Sequence, residues 1–248
     1  MKLSYLFELL TQGELSQVFV GGESTGQILE KNYRSMGNNV FLGLTALYKR
    51  FNLKFDTLEV QLIEGRYTYP LLQRFAVNDQ YSKEPVRFIL DQPTDKFKGD
   101  VLKVWGVQTD SKNGLVMNDY MDGCAIITPA LNVIRVPMDI VDKGNDLPDY
   151  FKTDKLYVEY VANHAQFVPS VGYFDPQLTE IELPESHVQA LLYYVASRVS
   201  NPIGMSQEFN AGNNWAARYE QECRRLEDDG NQVQLSGQID VIRRGGWA

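Results

Sequence analysis

The sequence predicts an α+β protein: a helical bundle formed by the N- and C-terminal segments, with an antiparallel β barrel or sandwich inserted between them. Three observations predict it. Apolar residues recur at separations of three and four near both ends, they alternate with polar residues through the middle, and the alternating runs are short and divided by Gly, Pro, Asp or Asn. The expected body is 1–53 with 174–230, the insertion is 54–173, and 231–248 is an extended tail.

The first helical signal is Leu3, Leu6, Phe7 and Leu10, continued by Leu15, Val18 and Phe19. Gly21 and Gly22 break it. Ile28 and Leu29 resume a pattern that leads to Val40, Leu44, Leu47, Tyr48 and Phe51 on one stripe. The Gly37, Asn38, Asn39 stretch either caps this last piece or lies inside a longer helix. From Leu53 the period falls towards two, with Leu58, Val60 and Leu62 alternating with Glu59 and Gln61, and Glu64-Gly65 turning the chain into Arg66 to Leu71. Further strands are expected at Val86 to Leu90, Val101 to Val107, Gly114 to Met121, Cys124 to Thr128, Leu131 to Val136 and Leu156 to Val161. The polar stretch Asp139 to Asp154 is the longest loop expected, of a length associated with interaction.

Helix returns at Pro184 and Glu185, which suit a first turn, followed by the stripe Val188, Leu191, Leu192, Val195, Ala196 and Val199. Asn201-Pro202 stops it. A last helix is expected over Ser206 to Asp228, with Trp215, Tyr219, Cys223 and Leu226 on one face. The tail then mixes Val233, Leu235, Ile239, Val241 and Ile242 with polar groups and ends in Arg243, Arg244, two glycines and Trp247. Such a segment lies along its own body or docks on a partner by strand addition.

Composition narrows the function. Of 248 residues, 24 are basic and 32 acidic, and the net charge of -8 argues against a dedicated nucleic-acid reader or an anionic-membrane binder. No membrane span and no signal peptide are expected. Cys124 and Cys223 are too far apart in sequence to form a recognisable metal or disulfide framework and read as small buried hydrophobes of a reducing compartment. We expect synthesis and folding in a cytoplasm.

A search for bond chemistry finds no convergent set, so no catalytic residue, cofactor or metal is expected. His164 and His187 are the only histidines. Ser186 beside His187 makes no nucleophile and base by itself, because consecutive helical side chains diverge. His164 reads as a loop hydrogen-bonding group. Asp139, Asp142, Asp146, Asp149 and Asp154 do not follow a calcium-loop order, and Glu180 with Glu182 reads as a solvated edge. Gly21-Gly22-Glu23-Ser24 lacks the lysine of a phosphate loop. Arg74, Lys83, Arg87, Lys96, Lys98 and Lys103 fit either a DNA passage built from several copies or ordinary β surface charge.

One ordered set of segments carries a resemblance. Glu182-Leu183-Pro184-Glu185, Val188 to Val199 and Trp215-Ala216-Ala217-Arg218-Tyr219-Glu220 resemble the closing helical pair of tailed-bacteriophage head-to-tail connector, or adaptor, proteins. Leu44 to Phe51 leading into Leu58 to Tyr69, Pro70 and Leu71 resembles members with an inserted β domain. The resemblance implies a homo-oligomeric ring, commonly twelve-fold, at the head-tail junction of a virion. It implies contact with the portal protein and with tail or nozzle proteins, and passage of DNA without sequence reading. It makes Ile239, Ile242, Arg243, Arg244 and Trp247 the candidates for portal docking, with Ile242 and Trp247 as apolar anchors. The alternative reading is a tail-associated β module that binds a receptor or another tail protein, with an enzyme ranked last.

Overall fold

A computed structural model of the chain describes residues 1–15, 28–110, 112–144, 148, 151–167, 174–200 and 206–228, with side chains of the last helix described from 212 onward. The candidate docking residues Ile239, Ile242, Arg243, Arg244 and Trp247 therefore lie outside the described residues. The chain divides into two compact units, 1–53 with 164–248, and 54–163.

In the first unit, α1 (Leu3–Gln12) buries Leu3, Leu6, Phe7 and Leu10, the stripe its spacing requires. No side chain caps it. Instead Leu3 N–H donates to Thr179 O at 2.9 Å and Ser4 N–H to Pro176 O at 3.0 Å, while Met1 and Ile181 exchange backbone bonds of 2.9 and 2.8 Å. The start of α1 is thus satisfied by the segment before the C-terminal helices. The helix α2 (Tyr33–Phe51) runs unbroken through Gly37, Asn38 and Asn39, which settles that boundary in favour of one long helix. It ends on Asn52 at φ 50°, a left-handed conformation that asparagine tolerates.

The packing centre of this unit is α4 (Val188–Val199), which meets α1, α2 and α5 (Ser206–Asp228). Ala190, Leu191, Leu192, Val195 and Ala196 are buried on it, as the 3.6-residue period requires. Across α4 and α5, Tyr193 stacks on Trp215 at 5.7 Å and Tyr194 meets Tyr219 edge-on at 5.4 Å. Cys223 and Leu226 complete the buried line on α5. Arg50 of α2 then ties α5 down through Glu227 at 2.7 Å and Glu220 at 2.8 Å.

The second unit contains two antiparallel sheets. In the four-stranded sheet the order is β3 (Ile89–Leu90), β1 (Phe55–Gln61), β7 (Lys155–Ala162), β4 (Val101–Thr109). The three-stranded sheet runs β2 (Thr68–Pro70), β6 (Val133–Arg135), β5 (Ile127–Ala130). β1 and β7 pair over their length, from Phe55 opposite Val161 to Gln61 opposite Lys155. Alternation directs Leu58 and Val60 of β1, and Leu156, Val158 and Tyr160 of β7, into a core shared with Tyr69, Leu71, Ile134 and Val136 from the other sheet. Neither sheet closes into a barrel among the described residues.

Several expectations require correction. The strands expected at Gly114 to Met121 and Cys124 to Thr128 shrink to single bridges, Gln108 with Gly114 and Met117 with Ile126, and β5 starts only at Ile127. Asn118 sits at φ 55°, and side chains of Asp119 and Asp122 capture backbone N–H groups that a ladder would need. Within the expected loop 139–154, a one-turn helix α3 (Met138–Val141) buries Ile140 and Val141. The compact β unit spans Lys54–Asn163. Asn163 N–H still donates to Asp100 O, at 2.8 Å, whereas the His164 ring already lies 3.1 Å from Phe41 O on α2.

Candidate protein-interaction surface

Both histidines are buried. His164 is buried, with Nδ1 3.1 Å from Ala165 O and Nε2 3.1 Å from both Phe41 O and Thr45 Oγ1, and its ring meets Phe41 edge-on at 4.5 Å. His187 lies in the tight turn Glu185–His187 before α4, where Ser186 Oγ reaches its Nδ1 at 3.0 Å. That contact corrects the expectation that these neighbours diverge, since the turn is not α-helical. The His187 ring packs edge-on against Phe51 at 4.7 Å, only 1% exposed, and its Nε2 has no hydrogen-bond partner among the described residues.

Burial holds the His187 imidazole below its ordinary value of 6.5. The sign follows. Below about pH 6.5 the unfolded chain takes up a proton that the folded chain resists, so this site favours folding less as pH falls, by at most about 1.4 kcal/mol per pH unit. Above that range the contribution is constant. Urea titrations near pH 7.5 and near pH 5 are expected to show the loss, and His187→Leu is expected to shrink it while removing an unsatisfied buried nitrogen.

The remaining charged candidates are dispersed. Glu180 and Glu182 are exposed on either side of buried Ile181. Asp142 accepts from Tyr67 Oη at 2.9 Å and from Gly65 N–H at 3.3 Å, and Asp154 pairs with Lys143. Asp146 and Asp149 lie outside the described residues. No group of three His, Cys, Asp or Glu side chains able to hold a metal occurs among the described residues. Arg74 pairs with Glu84 at 3.3 Å, and Arg87 donates to Val77 O and Ser82 O at 3.0 and 2.9 Å. Lys96 and Lys98 share an open groove with Asp56, Asp91, Asp95 and Asp100. These cations are therefore partnered or interleaved with carboxylates rather than gathered into a basic stripe.

What the structure adds is an apolar display on the β unit. The loop following Met117 is held by its own polar groups: Met121 N–H donates to Asp119 Oδ1 at 2.9 Å and Cys124 N–H to Asp122 Oδ1 at 2.8 Å. Asn118 Oδ1 accepts from both the backbone and hydroxyl of Thr128, at 2.8 and 2.9 Å. This ordered loop leaves Tyr120 81% and Met121 97% exposed, and Met138 at the start of α3 is 58% exposed. Tyr120 and Met138 flank a cleft of about 490 Å³, lined also by Tyr67, Ala125, Ile127 and Val136. Asp119, Asp122 and Asp139 sit on its margin with Arg135 the one cation among the described lining residues.

Two titratable groups at or beside the cleft are shifted upward. Burial, then the charges of Asp122 and Asp139, push the nearby Cys124 thiol up, away from the reactive thiolate. The hydrogen bond to Asp142, its largest influence, likewise raises the Tyr67 hydroxyl. Large apolar side chains fixed in water beside a concavity mark a surface for another macromolecule. Sequence reasoning missed it, although Asn118-Asp119 and Asp122-Gly123 are readable turn signals. No protein-family model matches this chain, and no curated protein matches it.

Proposed function

We propose that this chain is a structural adaptor of a tailed-bacteriophage virion, forming a ring that joins the portal to the tail and lets DNA pass. It works by ordered protein assembly, without bond chemistry. The observation that carries the assembly reading is the display of Tyr120 and Met138 at an open cleft, with Met121 exposed on the same loop as Tyr120. The virion assignment rests on the resemblance of Glu182 to Val199, Trp215 to Glu220 and Leu44 to Leu71 to connector proteins. In this reading the ring is commonly twelve-fold, the β unit meets tail or nozzle proteins, and Ile239, Ile242, Arg243, Arg244 and Trp247 engage the portal.

The test is size-exclusion chromatography with light scattering, on the full chain alone and mixed with the portal protein of the same genome. A ring-sized complex on the portal is expected, and truncation after Gly230 is expected to abolish it while leaving the far-ultraviolet circular dichroism of the described helices intact. A chain that never associates with assembled portal would overturn the adaptor assignment. The second reading, a β module for a receptor, draws on Trp105 beside Phe55 at 5.6 Å and Gln108 donating to Glu159 at 2.7 Å, residue types that stack on and hydrogen-bond sugars. Glycan retention by a chain that ignores the portal would favour it.

A further inference from the structure

We infer that the cleft lined by Tyr67, Tyr120, Ile127 and Met138 receives residues 239–247 of a second copy of this chain. Three observations argue for that occupant. First, the cleft requires an apolar guest: Tyr120 and Met138 are 81% and 58% exposed, and covering them removes from water two large side chains that the fold itself leaves uncovered. Tyr120 sits in a hydrogen-bonded loop: Asn118 is tied to Ile126 O and Thr128 before it, the Asp119 turn spans it, and the Asp122 turn follows it.

Second, the cleft favours a basic guest. Among the described lining residues Arg135 is the one cation beside Asp119, Asp122 and Asp139. Asp119 and Asp122 each give one oxygen to a backbone N–H, whereas the nearby Asp142 uses both oxygens on Tyr67 Oη and Gly65 N–H. Third, the chain carries a segment of that complementary chemistry. Residues 239–247 combine Ile239, Val241, Ile242 and Trp247 with Arg243 and Arg244, against a single aspartate, in a protein whose net charge is -8. An arginine beside an aromatic anchor suits a carboxylate-rimmed aromatic cleft through hydrogen bonds and ring stacking.

A cleft and its complement carried by the same chain and joined between copies make a heterologous contact, which propagates head to tail and closes into a ring when the rotation permits. This inference goes beyond the adaptor reading and does not require it. If both hold, portal engagement displaces the segment from the neighbouring cleft, which sets an order of assembly.

The experiment uses a fluorescein-labelled peptide of residues 236–248 and two full-length variants. The segment variant, Arg243→Glu with Arg244→Glu and Trp247→Ala, keeps an open cleft. The cleft variant, Tyr120→Asp with Met138→Asp, changes two exposed positions. The peptide is expected to bind the segment variant saturably and the cleft variant at least ten-fold more weakly, by fluorescence anisotropy. Charge reversal supplies an independent check: Asp119→Lys with Asp139→Lys in the segment variant is expected to weaken binding and to recover it with a peptide carrying Arg243→Glu and Arg244→Glu. In light scattering, an equimolar mixture of the two variants is expected to give a mixed species limited to two copies, because each retains one half of the contact. A peptide that fails to bind, or that binds the cleft variant equally well, overturns the inference. So does a mixture without a mixed species, which would place the segment in the cleft of its own chain or elsewhere. None of these readouts contains portal, so their failure leaves the portal test standing, and failure of the portal test leaves them standing.

Discussion

Gly43→Val is expected to destabilise the helical unit by about 3 kcal/mol, the upper part of the range for overpacking a well-filled core. Gly43 lies on the face of α2 that meets α4. A Cβ there would come within 2.6 Å of Leu191 Cδ1 and 2.8 Å of Tyr194 Cδ1, closer than carbon atoms approach without a shift. Leu191 is fully buried, and Tyr194 is engaged by Tyr219 edge-on and by Arg198, whose guanidinium donates to its hydroxyl at 3.2 Å. Neither side chain retreats without disturbing the next contact.

Gly43→Ala makes the sharper test, since two effects of opposite sign meet. Helix propensity alone favours alanine over glycine in a helix interior by about 1 kcal/mol. The close approach to α4 opposes it by about 1 to 3 kcal/mol, so a net loss smaller than that of valine is expected. Urea denaturation followed by circular dichroism reads both. A net gain for alanine would show that α2 and α4 do not approach as closely as the structure places them.

This position shows what a sequence leaves unreadable. The stripe Leu44, Leu47, Tyr48 and Phe51 identifies the buried face of α2 because a period of 3.6 residues repeats on one chain. Gly43 belongs to the same face, yet by itself it reads only as a weak helix former, and its meaning appears when Leu191 and Tyr194 are set opposite. The same division holds in the β unit. β1 and β7 were legible from alternation, since each buries alternate residues against one core. The stretches 114–121 and 124–128 read as two strands because the short apolar runs Leu115 to Met117 and Cys124 to Ile127 are bounded by turn residues, while in the fold Asn118, Asp119 and Asp122 turn the backbone.

The cleft was illegible for a further reason. Its lining comes from Tyr67, the loop around Tyr120 and the Arg135 to Asp139 segment, distant in sequence and joined only when β2, β6 and β5 form their sheet. No local period announces such a surface. Of the candidate docking residues, by contrast, the sequence is the sole witness, and it is the chemistry of the segment 239–247 that gives the cleft an occupant to test.

In the β unit the largest single loss is expected from Phe88→Ala, about 3 to 5 kcal/mol. Phe88 is fully buried between Phe75, stacked at 4.8 Å, and Tyr69, edge-on at 5.2 Å, with the Arg66 guanidinium 4.5 Å from its ring centre. Its backbone holds two other segments, donating to Phe75 O at 3.1 Å and accepting from Gln61 N–H at 2.8 Å. The adjoining strand β3 has only two residues, so side-chain anchorage rather than a long ladder keeps this edge on β1. Removing the ring leaves a cavity whose walls are pinned: Tyr69 Oη accepts from Ile63 N–H at 2.9 Å, and Phe75 caps a tight turn through Leu72 O, also at 2.9 Å. Because those walls cannot collapse freely, the cavity cost adds to the lost transfer energy. Phe88→Leu is expected to lose less, since it refills part of the volume. Arg66→Met keeps the apolar stem and removes only the charge over the rings, worth about 0.5 to 1 kcal/mol where the cation is partly solvated. The order Ala, Leu, then Arg66→Met in urea denaturation would establish packing as the main anchor. An Arg66→Met loss equal to that of Phe88→Ala would place the anchor in the cation instead.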